Sequence, residues 1–307
     1  MPLPEFLYHV PATLNEACQL MAQLGEDGRP LAGGTDLIVN MRKGLISPKN
    51  VVSLGRIEEL NKIDHSGGLT RVGACLKVSD LVRSKPVSSR YNALRLGAGS
   101  LGSPLIRNLA TIGGNLVTGR PAADLPPPLM ALGARLLFRS VSGKREVPLQ
   151  EFFHGPGLTA IGKDEILTEI LLPEPPSNSG SGYIKLGVRK ALEISIVNAA
   201  SFISLDRESG KIRSARVVLG AVAPTPIRAW SAEKILIGEK PDEELFIKAG
   251  KAASEESKPI DDFRGSAGYR RDMVKILTQR SLHIAFDDLM SNTLERWDEK
   301  NDHAHCK

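Results

Sequence analysis

The chain has 307 residues, of which 41% are hydrophobic and 24% are charged, as is typical of a folded globular protein with about two domains. This composition excludes intrinsic disorder, a collagen-like repeat and a coiled-coil rod. Lys and Arg number 40 against 35 Asp and Glu, but the charges are dispersed and only 5% of the residues are aromatic. No nucleic-acid partner is therefore predicted.

The three cysteines, Cys18, Cys75 and Cys306, are far apart and form no CxxC pair. Because an iron–sulfur cluster needs four protein ligands, mostly thiolates, we expect neither a cluster nor another metal site in this chain. The first residues lack the basic and apolar regions of a signal peptide, and no segment approaches the ~20 apolar residues of a membrane-spanning helix. The sequence predicts a cytoplasmic protein with no transmembrane segment.

The first half of the chain predicts short strands that alternate with helices up to about residue 170. Thr13 and Glu16 have capping-box spacing at the start of a helix, and Gly25 ends it. The predicted strands of this half are 51–54, 69–74, 134–139 and 166–172. We predict an α/β domain over 1–173, in two subdomains of approximately 1–55 and 56–173.

The second half predicts strands first and helices afterwards, so the fold class is α+β. The segment 173–182 is rich in Pro, Gly and Ser and predicts a linker. Beyond it we predict paired antiparallel strands at 196–205 and 212–222, and helices near 231–237, 242–254 and 267–286. These elements form a C-terminal domain over 181–287, and a polar tail follows over 288–307.

Two glycine pairs are the main candidates for a binding site. The segments 32–37 (AGGTDL) and 111–115 (TIGGN) each place two glycines beside a hydroxyl residue and a side-chain hydrogen bonder. Without Cβ atoms, such a loop can turn its backbone N–H groups toward one point and admit a phosphate. Two of these loops could hold a pyrophosphate from both sides, and two ordinary tight turns are the alternative.

With 106–115 (IRNLATIGGN) and 121–124 (PAAD), these motifs resemble the FAD-binding medium subunit of molybdenum hydroxylases. That family includes aerobic carbon monoxide dehydrogenase and the flavoprotein subunits of xanthine dehydrogenase-type enzymes. The segments 155–159 (GPGLT) and 219–228 (LGAVAPTPIR) extend the resemblance to about residues 3–286. It implies a PCMH-type N-terminal FAD-binding domain and a C-terminal domain like that of carbon monoxide dehydrogenase flavoproteins.

The resemblance implies that both glycine loops hold the pyrophosphate of a non-covalent FAD through backbone N–H groups. Thr35 and Thr111 would add hydroxyl donors. We expect a side chain at Gly114 to project toward the bound phosphate or to force a strained backbone. The residues implied to bind the cofactor are Leu31, Ala32, Gly33, Gly34, Thr35, Asp36, Leu37, Ala98, Thr111, Ile112, Gly113, Gly114, Asn115, Ala123, Asp124, Ile170 and Lys185. No residue is assigned a catalytic role.

Three of these residues have specific implied roles and simpler alternatives. Asn115 and Asp124 would contact the ribityl–phosphate region, but Asn115 could cap a turn and Asp124 could cap the helix that starts near Leu125. Lys185 would stabilise an anionic reduced flavin, but it could equally be a solvated surface charge.

The implied activity is electron transfer within an oxidoreductase of several subunits. A small iron–sulfur subunit with 2Fe–2S clusters and a large molybdopterin subunit would be the partners, as a dimer of heterotrimers. FAD would pass the electrons to NAD⁺ or a quinone. The alternatives are a stand-alone FAD-dependent oxidase of the related fold and a flavin-binding assembly subunit without turnover.

The segment 97–102 (GAGSLG) matches the glycine spacing of a Rossmann fingerprint. Such a motif should follow a strand and open a long helix, whereas here Pro104 comes two residues later. We interpret these glycines as loop geometry near the flavin site.

Overall fold

The computed structural model describes residues 2–189 and 193–304, with side chains described as far as residue 291. The chain divides into two compact units. Unit 1 comprises residues 1–84, 101–120 and 133–173, and unit 2 comprises residues 85–100, 121–132 and 174–307. Within the described residues, no helix is both long and apolar enough to cross a membrane.

The strands and helices are numbered along the whole chain. The strands are β1 (Leu7–His9), β2 (Gly28–Leu31), β3 (Asn50–Ser53), β4 (Ile63–Ser66), β5 (Leu69–Gly73), β6 (Arg135–Ser140), β7 (Gly143–Pro148), β8 (Phe153–Gly155), β9 (Leu158–Thr159), β10 (Ile166–Pro173), β11 (Ser179–Leu186), β12 (Val197–Leu205), β13 (Ile212–Gly220) and β14 (Ile227–Arg228). The helices are α1 (Leu14–Leu24), α2 (Leu37–Arg42), α3 (Val78–Arg83), α4 (Lys85–Ser88), α5 (Asn92–Ser100), α6 (Pro104–Arg107), α7 (Ile112–Val117), α8 (Pro126–Ala131), α9 (Trp230–Leu236), α10 (Glu243–Glu256) and α11 (Ala267–Ala304).

Unit 1 begins with a parallel sheet in the order β1-β3-β2. Helix α1 packs beside it, and the predicted cap is confirmed: the Thr13 side chain accepts a hydrogen bond from the Glu16 N–H, and Gly25 ends the helix at φ +52°. Leu14, Ala17 and Met21 are among the apolar side chains of α1 that enter the core beside β3. The burial of this apolar face stabilises a helix whose isolated sequence would be only marginally stable.

The larger sheet of unit 1 is antiparallel in the order β4-β5-β10-β6-β7. Its middle strand, β10, carries an almost continuous apolar run because both of its faces are covered. Ile170 lies in this strand opposite Val72 of β5 and Leu136 of β6, and all three side chains are fully buried. Ile170 is thus part of the sheet core.

Unit 2 contains an antiparallel sheet in the order β11-β12-β13-β14 and the helices α9–α11. The predicted pair of strands is confirmed: Ser201 of β12 lies opposite Val217 of β13, and a short turn joins the two strands. The predicted helices are also confirmed as α9, α10 and α11. Helix α11 continues to Ala304, so most of the predicted polar tail is helical, and residues 305–307 lie outside the described residues.

The predicted linker is wrong over its last residues, since 179–182 form the start of β11. A Cβ atom on Gly180 would lie 2.1 Å from the Ala285 carbonyl oxygen, and one on Gly182 would lie 2.3 Å from the Ser281 carbonyl oxygen. Glycine is present here because α11 packs directly against the strand backbone. The same residue type that indicates flexibility in a sequence permits close packing in this sheet.

The Rossmann spacing at 97–102 is confirmed as coincidental, but these residues are not a loop as we predicted. Helix α5 continues through Ser100, and only the end of the motif is a turn, with Gly102 at φ +52°. A Cβ atom on Gly97 would lie 2.9 Å from Pro128 Cγ, so this glycine allows α5 to approach the start of α8.

Candidate functional site

Unit 1 contains a cavity of about 290 Å³ that is lined by both glycine loops. We call residues 33–37 the first loop and residues 111–115 the second loop. The cavity is lined by Pro30, Leu31, Ala32, Gly33, Gly34, Thr35, Asp36, Leu37, Leu54, Leu101, Ile106, Ala110, Thr111, Gly113, Gly114, Asn115, Val117, Thr118, Ile161, Glu165, Ile166 and Leu167. The structure therefore brings together 11 of the 17 predicted cofactor residues.

The other six predicted residues lie elsewhere. Ile112 and Ile170 are fully buried in unit 1 and do not line this cavity. Ala98, Ala123, Asp124 and Lys185 belong to unit 2. Sequence reasoning missed part of the wall, namely Pro30, Leu54, Leu101, Ile106, Ala110, Val117, Thr118, Ile161, Glu165, Ile166 and Leu167. Most of these are apolar residues of ordinary core type, and their pattern carries no signal for a binding site.

The first loop presents a run of backbone donors. It connects the end of β2 to the start of α2, where Gly34 adopts φ +71°, a backbone conformation that favours glycine. The N–H groups of its five residues have no hydrogen-bond acceptor within residues 2–189 and 193–304. Successive N–H groups of this kind form a concave site for an anion.

The second loop differs, because most of its backbone donors are already used. Four N–H groups donate within the protein, from Ile112 to Leu76 O (3.1 Å), from Gly113 to Ala74 O (2.8 Å), from Gly114 to Thr111 Oγ1 (3.1 Å) and from Asn115 to Thr111 O (3.1 Å). Thr111 thus caps α7. The expectation that this whole loop offers N–H donors is wrong for these four residues. Only the Thr111 N–H lacks an acceptor in the described part of the chain.

The first glycine of each pair allows close packing within the protein. A Cβ atom on Gly33 would lie 2.1 Å from the Leu109 carbonyl oxygen, and one on Gly113 would lie 2.7 Å from both the Cβ and the carbonyl oxygen of Ala74. At Gly114 the nearest contact of a Cβ atom would be Thr111 Oγ1, at 2.9 Å. A side chain at position 114 would therefore disturb the helix cap.

The cavity wall contains no Lys, Arg or His, and its two ionisable groups are the carboxyls of Asp36 and Glu165. Glu165 accepts hydrogen bonds from Arg145 Nε (2.7 Å) and Nη2 (2.5 Å) and from the Gly162 N–H (2.7 Å). The hydrogen bond from Arg145 holds the pKa of Glu165 below its ordinary value. An anion in this cavity would thus be held by backbone dipoles and hydroxyl groups.

In unit 2, Asp124 and Lys185 form a buried ion pair, with Lys185 Nζ 2.8 Å from Asp124 Oδ2. The other carboxylate oxygen of Asp124 accepts hydrogen bonds from the Tyr183 hydroxyl (3.0 Å) and the Ser195 hydroxyl (2.8 Å). Burial raises the pKa of Asp124, and the adjacent ammonium group opposes that effect. Burial also raises the pKa of Tyr183 well above its ordinary value.

This network excludes the simpler alternatives for both residues. Asp124 does not cap α8, whose N-cap is Leu125 and has no side-chain cap hydrogen bond. Lys185 is not a solvated charge, because Nζ also donates to the carbonyl oxygens of Ser100 (3.3 Å) and Glu193 (2.8 Å). All three ammonium donors are therefore used within unit 2.

No metal site is found within the described residues. They contain no group of three or more His, Cys, Asp or Glu side chains that could hold a metal ion. Cys18 and Cys75 are both buried free thiols, and burial raises the pKa of Cys75 to about 12. Cys306 lies outside the described residues.

Comparison with known families decides the classification. Residues 4–175 match the family described as FAD binding domain in molybdopterin dehydrogenase, and residues 182–285 match the CO dehydrogenase flavoprotein C-terminal domain. The chain belongs to the FAD-binding medium subunits of molybdenum hydroxylases. This medium subunit is accordingly part of an oxidoreductase, as predicted.

Its relatives have nearly the same length as this medium subunit. It is 35% identical to the carbon monoxide dehydrogenase medium chain of Afipia carboxidovorans over 280 residues, which cover 91% of this chain and 96% of the relative. It is 33% identical to the glyceraldehyde dehydrogenase medium chain of Sulfolobus acidocaldarius over 279 residues, covering 91% and 97%. It also matches a solved structure of carbon monoxide dehydrogenase from Hydrogenophaga pseudoflava with a TM-score of 0.89 and 32% identity, covering 94% and 99%.

Proposed function

We propose that this medium subunit binds FAD non-covalently through the unit 1 cavity, takes electrons from an iron–sulfur partner and passes them to NAD⁺ or a quinone. The observation that carries the cofactor site is the first loop, whose five successive backbone N–H groups lack an acceptor in the described chain while their residues line the cavity. A pyrophosphate is a large multivalent anion, and FMN has none. A site with this many donors matches a dinucleotide.

The backbone donors and the volume of the cavity both suit a pyrophosphate. Fixed N–H dipoles bind phosphate oxygens without the entropic cost of ordering long cationic side chains. Thr35 contributes a hydroxyl group and Asn115 an amide group to the cavity wall. A volume of about 290 Å³ lies at the lower end of ligand pockets, so the unit 1 cavity suits the diphosphate portion of the cofactor.

The second loop has a different role in this proposal. Its N–H groups hold α7 against Leu76 and Ala74, and the tight contact between Gly33 and Leu109 sets the position of the first loop. We propose that the segment 109–110, which leads into the second loop, supports the donors of the first loop, and that the second loop adds the Thr111 N–H. We propose that the second loop mainly fixes the shape of the site and donates few hydrogen bonds to the cofactor.

Ala98, Ile112, Ala123, Asp124, Ile170 and Lys185 remain cofactor residues implied by the resemblance. For Lys185 the structure favours a positioning role over direct charge stabilisation, because its ammonium group is neutralised by Asp124 and fully hydrogen-bonded. The pair joins the segment before α8 to β11 within unit 2. We propose that Lys185 and Asp124 fix the backbone of residues 121–124.

FAD, when bound, supplies the redox chemistry, and the protein supplies binding, orientation and exclusion of water. Because relatives of similar identity are medium chains of enzymes that oxidise carbon monoxide or glyceraldehyde, we propose that the substrate is set outside this chain. A small subunit with 2Fe–2S clusters and a large molybdopterin subunit are the proposed partners, in a dimer of heterotrimers.

Acid precipitation tests the cofactor. The supernatant of the denatured protein should contain yellow flavin that chromatographs as FAD in about equimolar amount. FMN in the supernatant, or colour that stays in the pellet, would contradict non-covalent FAD binding. Anaerobic titration of the flavin-loaded chain with NADH and with a reduced quinone analogue would then identify the acceptor.

The isolated chain should contain flavin but negligible iron and molybdenum, and it should not oxidise substrate until its partners are added. A stand-alone oxidase would instead reduce its own flavin with an organic substrate. Substrate turnover by the isolated chain, or stoichiometric iron in it, would contradict the proposed electron route. Metal analysis and a turnover assay with and without the partner subunits provide the two readouts.

A further inference from the structure

Glu165 places a carboxylate in the wall of the cavity proposed to hold a pyrophosphate. A carboxylate beside a bound anion is unfavourable, because like charges repel most strongly where water is excluded. The side chain of Glu165 is only 14% exposed, so solvent screens its charge poorly. A carboxylate at this place requires a structural reason to be there and a counter-charge, and the structure contains both.

The structural reason is the turn 160–165, which leads into β10 and which Glu165 holds together. Its carboxylate accepts a hydrogen bond from the Gly162 N–H (2.7 Å), and its own N–H donates to the Gly162 carbonyl oxygen (3.2 Å). The turn contributes Ile161 and Glu165 to the cavity wall, and the first residues of β10 continue that wall. The carboxylate therefore fixes the backbone of one side of the cavity.

The counter-charge is Arg145 of β7, which does not itself line the cavity. Its guanidinium donates to both oxygens of the Glu165 carboxylate, from Nε (2.7 Å) and from Nη2 (2.5 Å), and Nη2 also donates to the Ala160 carbonyl oxygen (2.8 Å). The guanidinium lies 5.0 Å from the centre of the Phe138 ring. Such a two-pronged pair is strong and fixes the orientation of both groups.

The charged neighbours within the turn do not replace this arginine. Lys163 is exposed and forms an ion pair with Glu26. Asp164 adds a further negative charge next to Glu165. The hydrogen bond from Arg145 is the main influence that lowers the pKa of Glu165, against the burial that raises it. Without Arg145, we expect the Glu165 carboxyl to take up a proton at a higher pH.

We propose that Arg145 is a positioning residue for FAD, which neutralises the Glu165 carboxylate so that the turn 160–165 can form a wall beside a pyrophosphate. The proposal rests on the proposed function, because it assumes that the unit 1 cavity holds the anionic part of FAD. The backbone N–H groups of the first loop bind the anion but leave the charge of this wall unchanged. Asp36, the other carboxyl of the wall, is present in wild type and in every variant of the test, so its effect cancels.

The test measures the FAD affinity of the full chain, freed of flavin, at pH 5 and at pH 8. It compares wild type with R145M, E165Q and the double variant R145M/E165Q. At pH 8, R145M should bind FAD about tenfold more weakly than wild type, because an unpaired carboxylate then faces the anion. At pH 5 this deficit should shrink to about threefold or less, since Glu165 without its counter-charge is largely protonated. E165Q and R145M/E165Q should both bind within about threefold of wild type at either pH.

The matched control is R71M. Arg71 pairs with Glu169 in the same antiparallel sheet, and the side chains of Arg71 and Arg145 are equally exposed, at 43%. Neither member of this control pair lines the unit 1 cavity. R71M should therefore remove a comparable ion pair and change FAD affinity by about twofold at most. Thermal unfolding of the flavin-free variants measures their stability separately.

The double variant distinguishes an effect of charge from an effect of shape. If Arg145 only held the turn in place, R145M/E165Q would bind FAD as weakly as R145M, and the loss would not depend on pH. That result, or wild-type affinity of R145M at pH 8, would overturn the proposal. If R145M does not fold, E165Q still decides, because a loss of more than about threefold in E165Q would show that the site requires the carboxylate. Failure of wild type to bind FAD would instead contradict the proposed function.

Discussion

The two glycine loops of unit 1 look alike in the sequence and differ in the structure. Each contains two glycines and a threonine, and both line the same cavity. The first loop leaves five backbone N–H groups without an acceptor in the described chain, whereas the second uses four of its own to attach and cap α7. A repeated motif therefore need not indicate a repeated role, and we propose that the first loop donates to the cofactor while the second mainly holds α7 in place.

The largest effects should come from the first glycine of each pair, where the two loops are alike. Gly33→Val and Gly113→Val would each drive a side chain into backbone atoms of a neighbouring segment. We expect each variant to lower the free energy of unfolding by about 2–4 kcal/mol and to lose FAD. Thermal unfolding measures the loss of stability, and the flavin content of the purified variant measures the loss of FAD. A stable variant with full FAD would show that the close approach of the loops is not required.

Substitution of the second glycine of each pair should distinguish the roles of the two loops. Gly34→Ala places a Cβ atom on a residue with φ +71°. The control, Gly44→Ala, does the same at φ +70°, and Gly44 is exposed and has no neighbouring atoms within 4 Å of such a Cβ atom. Both variants should lose about 1–2 kcal/mol of stability from backbone strain. Only Gly34→Ala should also weaken FAD binding, by about tenfold or more, because its strain distorts the donor run.

Equal FAD affinity in the two variants, measured by equilibrium dialysis or by fluorescence quenching, would contradict the donor role of the first loop. Gly114→Ala completes the comparison, since its Cβ atom would approach the Thr111 hydroxyl. It should behave as a cap variant, with a loss of stability and only a small change in FAD affinity.

The two threonines allow one substitution to be compared in both loops. Thr111→Val removes the hydroxyl that accepts from the Gly114 N–H, so it should cost about 1 kcal/mol of stability. Thr35→Val should leave the stability almost unchanged and weaken FAD binding by about three- to tenfold, because its hydroxyl lines the cavity without a capping role. The opposite assignment of the two effects would exchange the roles proposed for the loops.

The smallest effect concerns Glu165 in the cavity wall. Its pKa is lowered in the folded state by the hydrogen bond from Arg145, so its stabilisation is present above the unfolded pKa of about 4.3 and is lost as the pH falls. Glu165→Gln should therefore be slightly less stable than wild type at pH 6, and the difference should shrink below pH 4. Urea unfolding at each pH measures the stability difference between Glu165→Gln and wild type. If that difference stayed constant from pH 6 to below pH 4, the ionised carboxylate of Glu165 would not be the source of the stabilisation.

FAD affinity should meanwhile stay constant between pH 6 and 8, because backbone donors do not titrate and no Lys, Arg or His lines the cavity. A decrease in affinity with rising pH would indicate a titrating cation and would contradict a site built from N–H dipoles.

Local sequence signals determined much of this protein. The capping residues Thr13 and Glu16 and the stop at Gly25 predicted α1, because these signals act within one turn of helix. The paired strands β12 and β13 followed in the same way from two strand-like segments joined by a short turn. The specific TIGGN motif and its companions predicted the family, and through it most of the residues of the loops that line the cavity.

Tertiary structure alone decided how the individual residues are used. Which N–H groups of a glycine loop remain available depends on segments distant in sequence, such as Ala74 and Leu76, and no local pattern encodes them. Gly180 and Gly182 indicated a linker, yet they belong to β11 because α11 packs against them about 100 residues later in the chain. Hydrogen-bond partners and close approaches are properties of the packed chain, since both depend on residues that are distant in sequence and cannot be identified from the local pattern.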